Sequence, residues 1–184
     1  FRTFFARADA LPIALFLVTY KLGDNMAGTM VNPFLKDLCF SNVELGAAVK
    51  TIGIVASMLG SAAAAALTLK LGVGRALWIF GVVQALANLI YAGAALSRAV
   101  PLEAAQCAAG LPPLDAATRA WAYAAIAGEQ GAQAMASVAQ GALLLKVCNR
   151  QTAVTQFALL TSLFALGRWG AGLPSGFLVD AQIG

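Results

Sequence analysis

Five stretches of this 184-residue chain are apolar over a length that suits a membrane-crossing helix, and short polar breaks separate them. They run from Pro12 to Leu38, Val43 to Leu69, Leu77 to Leu96, Ala120 to Leu145 and Phe157 to Val179. A span needs about 20 mainly apolar residues, which each window supplies. The pattern predicts an all-α, polytopic membrane protein of about five transmembrane helices, with little chain left over for a soluble domain.

Polar residues inside the windows recur at intervals of three and four, so each set lies on one stripe of its helix. In the first window Lys21, Asp24 and Gly28 share a narrow face beside Tyr20 and Asn25. In the second, Lys50, Ser57 and Ser61 share a face with Ile54, and Gly53, Ser57, Gly60 and Ala64 give small-xxx-small spacing that lets helices approach closely. The third carries Gly81, Gln84, Asn88 and Tyr91, read first as groups that bond across helices and second as substrate contacts. The fourth has the polar stripe Glu129, Gln133, Ser137 and Gln140, and the fifth has Thr161, Ala165, Arg168, Gly172 and Ser175, with Pro174 expected to bend its outer end.

Lys21, Asp24, Lys50, Glu129 and Arg168 therefore fall at bilayer depth, where a charge survives only by facing a bundle interior, a partner or a watery path. Asp24 and Glu129 are the candidates for proton coupling, because a carboxylate can be neutralised by a proton. Lys21, Lys50 and Arg168 are the candidates for binding an anion or pairing with an acid, with Gln133 and Asn88 as polar companions. Lys21 and Asp24 either neutralise one another or act in transport, and the two roles are compatible. Arg168 cannot shed its charge, so it needs Asp24, Glu129 or an anionic substrate opposite it.

Composition agrees with the membrane class: 60% of residues are hydrophobic, 11% are charged and the mean hydropathy is +0.79. A soluble domain carries about 25% charged residues. Arg2, Arg7, Lys70, Arg75, Lys146 and Arg150 fall at alternate ends of the windows, against Lys36, Arg98 and Arg119 opposite. Positive loops stay in the cytoplasm, so the start of the chain is expected inside and its end outside. These loops and the three intramembrane cations account for all 12 Lys and Arg, so the net charge of +4 implies no nucleic acid.

The opening basic and apolar run, Phe1 to Leu17, has no small-residue cleavage site and continues through Lys21, so it is expected to be a retained first helix. The absence of an initiator Met at Phe1, with an odd number of spans, points to a piece of a longer protein. There is no His and no CxxC, so no metal site is expected. Cys39, Cys107 and Cys148 are read as three unpaired small residues, with a Cys39–Cys107 bridge as the alternative. No nucleophile and base pair appears, so neither an enzyme nor a cofactor is expected.

The segments YKLGDNMAGTMVNPFL (20–35), VKTIG (49–53) and CNRQTAVTQFALLTSLFALGR (148–168) resemble the AmpG-type muropeptide permeases, a branch of the major facilitator superfamily. The turn from Leu69 to Arg75, in which Gly72 and Gly74 are expected to permit the reversal, resembles a degenerate form of the glycine and arginine loop of facilitators. The resemblance covers nearly the whole chain and implies the C-terminal six-helix half without its last helix. It implies proton-coupled import of anhydro-muropeptides, or a similar large anionic solute, across the inner membrane. It also places the family's intramembrane charges at Lys21, Asp24, Lys50, Glu129 and Arg168.

Two departures, Gln133-Ala134-Met135-Ala136 in place of a glycine-rich stretch and Val49 in place of Asn, keep a second substrate class open, such as an acyl-coenzyme A. A facilitator holds substrate between two six-helix halves, so one half needs the missing N-terminal half or a partner chain. A non-transporting membrane subunit, or a degenerate remnant, is the alternative of another class.

Overall fold

The computed structural model describes residues 10–20, 22–37, 39–96, 116–148, 153–162 and 165. These residues form α1 (Ala10–Tyr20), α2 (Leu22–Asp37), α3 (Asn42–Leu71), α4 (Val73–Leu96), α5 (Ala116–Val147) and α6 (Ala153–Ser162). No strand occurs among the described residues. The chain divides into two compact units, residues 1–31 with 144–184, and residues 32–143.

The second unit shows why these residues form these helices. At the end of α2, Cys39 adopts a left-handed φ of 62°. Its N–H bonds Lys36 O at 2.8 Å, and the N–H of Phe40 bonds Leu35 O at 3.1 Å. This crossed pair closes the helix in a Schellman motif, and the residues it brings together, Leu35 and Phe40, are both buried. Glycine usually takes the left-handed position, since a Cβ there costs about 1–2 kcal/mol. Here the residue is Cys39, and it is disulfide-bonded. The expectation of three unpaired cysteines is thus wrong for Cys39; Cys148 is free, and Cys107 lies outside the described residues.

Ser41 then caps α3 by accepting the Glu44 N–H on its Oγ at 3.1 Å, the N-terminal half of a capping box. At the other end of α3 the chain reverses at a single residue. Gly72, at φ 80° and ψ 155°, donates its N–H to Thr68 O at 3.0 Å, and α4 begins at Val73. Gly74, expected to share the reversal, lies inside α4, and only Gly72 uses backbone freedom that a side chain would forbid.

Contacts along α3 and α5 advance together: Glu44 meets Arg119 and Tyr123, Gly53 meets Gln130, and Gly60 meets Gly131. The two helices therefore run parallel. Gly93 against Trp121 and Ile90 against Gly128 show α4 antiparallel to α5, as alternating membrane crossings demand. Among the buried positions of α5, Thr118, Ala122, Ala125, Glu129, Ala132, Ala136 and Ala139 alternate spacings of four and three. That is the seam of a helix packed on neighbours, and its small side chains allow close approach.

What the unit turns outward is apolar. Ile54, Val55, Met58 and Leu59 of α3 are exposed, as are Trp78, Ile79, Val82, Leu86 and Leu89 of α4. Large apolar side chains outside and small ones inside invert the pattern of a water-soluble core, and lipid is the solvent in which that costs nothing. Of the five windows, α3 and α4 are long and apolar enough to cross a membrane. The 32 residues of α5 reach about 48 Å, ample for a span, but its polar seam lowers its hydropathy. The first window is carried by α1 and α2 with Lys21 outside the described residues, and α6 covers only the start of the fifth.

In the first unit Phe16 and Tyr20 of α1 stack at 5.0 Å between ring centroids. In α6 Leu160 and Gln156 are buried, while the Thr161 hydroxyl bonds back to Phe157 O at 2.9 Å.

Candidate functional site

Glu129 lies near the middle of α5 and is only 8% exposed. Its seam position aims it at α4, where the Tyr91 hydroxyl donates to Glu129 Oε2 at 2.5 Å. Phe34 of α2 stands edge-on to the Tyr91 ring, with centroids 6.0 Å apart and planes at 90°. Three helices thus place an aromatic wall, a phenol and a carboxylate in sequence. A hydrogen bond to a carboxylate is shortened and strengthened by the charge, all the more in a low-dielectric interior. The arrangement gives the ionised acid a donor and can release it when a proton arrives, since a protonated carboxyl no longer needs the phenol's proton.

Several predicted site residues can be placed around this pair. Gln133, one turn further along α5, is half-buried, and its carbonyl accepts from the Ser137 hydroxyl at 2.8 Å. Asn88 is half-buried one turn before Tyr91 on α4. Lys50 is exposed on α3 and makes no ion pair with any described residue. Lys21 and Arg168 lie outside the described residues; Asp24 belongs to α2, but its side chain is not among those described. The pairing of Asp24 with Lys21, and of Glu129 with Arg168, therefore stays an expectation.

A second cluster escaped sequence reasoning. The Glu44 carboxylate, in the first turn of α3, accepts the Tyr123 hydroxyl at 2.8 Å and pairs with Arg119 at 3.5 Å. The Phe40 ring stands across Tyr123 at 5.9 Å. Arg119 falls in an expected outer loop and Glu44 in the first turn of the second window, and spacing along one helix singles out neither. Only the parallel packing of α3 and α5 makes them neighbours. Among the described residues no group of three metal-ligating side chains comes together.

No protein-family model matches the chain. The "Anhydromuropeptide permease" of Escherichia coli (strain K12) is 33% identical over 182 residues, 98% of this chain and 33% of that protein. The chain is homologous to the AmpG-type permeases. A "Putative transporter AmpG 4" of Rickettsia felis is 29% identical over 180 residues, again 98% of the chain. An "Uncharacterized protein" of Haemophilus influenzae is 32% identical over 174 residues. The chain spans about a third of the length of these curated relatives, from 33% to 39%. The AmpG-type resemblance read from residues 20–35, 49–53 and 148–168 thus extends along nearly the whole chain, and the transmembrane, permease character expected from it agrees with the apolar outer faces of α3 and α4.

Proposed function

We propose that the chain forms part of the membrane domain of a secondary transporter that imports anhydro-muropeptides, or similar large anionic solutes, with protons across a bacterial inner membrane. The observation that carries the reading is the similarity to an anhydromuropeptide permease over 98% of the chain, joined to a buried acid midway along a helix of the bundle. The segment supplies five helices of a C-terminal facilitator half, and the substrate site is completed by the other half of the transporter.

In this mechanism Glu129 takes up a proton from outside and relaxes its bond to Tyr91. Asp24 is the alternative acceptor, with Lys21 as its counter-ion. The cations Arg168, Lys50 and Lys21 supply attraction for the anionic substrate, Gln133 and Asn88 offer neutral hydrogen bonds, and release inside restores the starting pairs. A ligand moves such an equilibrium only by binding the two states unequally. Protonation of Glu129 provides that inequality because it removes the charge that the Tyr91 hydroxyl stabilises.

Uptake of labelled anhydro-muropeptide into vesicles, driven by an imposed pH gradient, tests the reading in the assembled transporter. Glu129→Gln should abolish uphill accumulation and leave downhill exchange, because an amide cannot carry the proton. Accumulation surviving in Glu129→Gln but lost in Asp24→Asn moves coupling to Asp24. Accumulation surviving in both substitutions refutes the mechanism. Uptake of an acyl-coenzyme A in place of the muropeptide would overturn the substrate assignment alone.

A further inference from the structure

Cys39 holds a position that its residue type does not favour. At its left-handed φ of 62° the Cβ of an L-residue crowds the following carbonyl, and glycine is the usual occupant. No other non-glycine residue among those described has a positive φ. A strained backbone persists only where its surroundings over-determine it. Two restraints act here: the crossed hydrogen bonds from Cys39 and Phe40 back to Lys36 and Leu35, and the disulfide that Cys39 makes.

The partner follows by elimination. The chain has three cysteines, Cys39, Cys107 and Cys148, and Cys148 is free. A bond within one chain therefore joins Cys39 to Cys107. Both positions fall within residues 32–143, one compact unit, and the segment between them contains the whole of α3 and α4. Closing a long loop removes more freedom from the unfolded chain than closing a short one, so a bridge of this span stabilises strongly.

The turn is also a place from which a bond can steady the helices. Phe40, next to Cys39, is buried with its ring 5.9 Å from that of Tyr123 on α5, and the Tyr123 hydroxyl reaches Glu44 of α3. Holding Cys39 thus holds the turn between α2 and α3 and the aromatic contact that follows it. The topology expected from the basic loops sets Cys39 and Cys107 outside and Cys148 inside. Disulfides persist on an oxidising side of a membrane and free thiols on a reducing one, and the bonded and free cysteines divide in that way.

We propose that Cys39 and Cys107 form a disulfide staple on the outer, oxidising side of the membrane, which fixes the turn between α2 and α3 and, through Phe40, its packing on α5. In forming it the two thiols give up two protons and two electrons as the S–S bond replaces two S–H bonds. A protein disulfide oxidant of that compartment accepts them by thiol–disulfide exchange, its own S–S bond opening to two thiols. The staple stands on the cysteines and the turn, and holds whatever solute the protein carries.

The test uses the assembled transporter purified without reductant. Peptide mass spectra should show Cys148 alkylated before reduction, with Cys39 and Cys107 in one linked peptide that separates on reduction. Cys39 alkylated before reduction, or linked to a second copy of the chain, would overturn the proposal. Cys107→Ser, which leaves the turn's own sequence intact, should lower Tm by at least about 4 °C, and dithiothreitol should do the same to the unsubstituted protein while leaving Cys107→Ser unmoved. An unchanged Tm in the reduced protein would refute the staple, and this arm decides even if Cys107→Ser fails to fold. In right-side-out vesicles a membrane-impermeant phosphine should open the bond to an impermeant maleimide; opening in inside-out vesicles alone would refute the outward placement.

Discussion

The crossing of α3 and α5 makes a quantitative prediction. An added Cβ at Gly60 would overlap the carbonyl oxygen of Gly131 and stand 3.0 Å from its C and Cα. Carbon atoms in contact rest about 3.5–4.0 Å apart, so Gly60→Ala requires the two backbones to separate by about 0.5–1 Å. Neither side of the clash is a flexible side chain that can turn away. Overpacking of this kind costs about 1–3 kcal/mol, set against a gain of about 0.5–1 kcal/mol from replacing a mid-helix glycine by alanine.

The gain can be measured separately. Gly46 and Gly141 are helical positions at which an added Cβ meets nothing within 4 Å. Gly131→Ala is the reciprocal control, since its Cβ would come only to 3.4 Å from Ala56 O, an ordinary contact. Thermal unfolding in detergent should therefore rank Gly46→Ala above the unsubstituted protein, and Gly60→Ala below Gly46→Ala by about 2–12 °C, taking about 2–4 °C per kcal/mol. A Gly60→Ala protein as stable as Gly46→Ala would refute the close crossing and with it the parallel packing of the two helices.

Removing the hydroxyl in Tyr91→Phe leaves the buried Glu129 short of a donor, with an expected loss of about 1.5–3 kcal/mol; Tyr91→Phe combined with Glu129→Gln should recover much of it, and simple addition of the two losses would contradict the bond. Arg119→Ala should cost under about 1 kcal/mol by denaturant unfolding, because the pair with Glu44 is solvent-accessible, with side chains 47% and 28% exposed; a loss of several kcal/mol would mean that the pair is shielded in the assembled protein. Burial pushes the Cys148 thiol above its usual range, so the thiolate appears only at higher pH. Its alkylation by an impermeant maleimide should be slow at neutral pH and still accelerating through pH 9, and in inside-out vesicles it should exceed that in right-side-out ones; the reverse would invert the proposed topology.

The membrane class was legible in the chain itself. Apolar windows, scarce charge and alternating basic breaks report how each segment partitions between water and lipid, a property that depends on local composition. The windows from Val43 and Leu77 accordingly became α3 and α4 with ends shifted by a few residues at most, and the motif resemblance identified a real kinship. Helical spacing also put Glu129, Gln133 and Gln140 on one stripe before any fold was known.

Spacing along one helix carries no record of which neighbour that stripe will meet. Tyr91 and Glu129 are 38 residues apart, and Glu44 and Tyr123 are 79 apart; their bonds exist because α3, α4 and α5 settle at particular rotations about their axes. Those rotations are set by the approach of Gly60 to Gly131 and of Gly93 to Trp121, which is a matter of shape complementarity over the whole interface. The tertiary structure therefore decided that Glu129 answers to a tyrosine, that Glu44 and Arg119 join helices, and that Cys39 is bonded at a left-handed turn. The sequence by itself determined the solvent in which those choices are made.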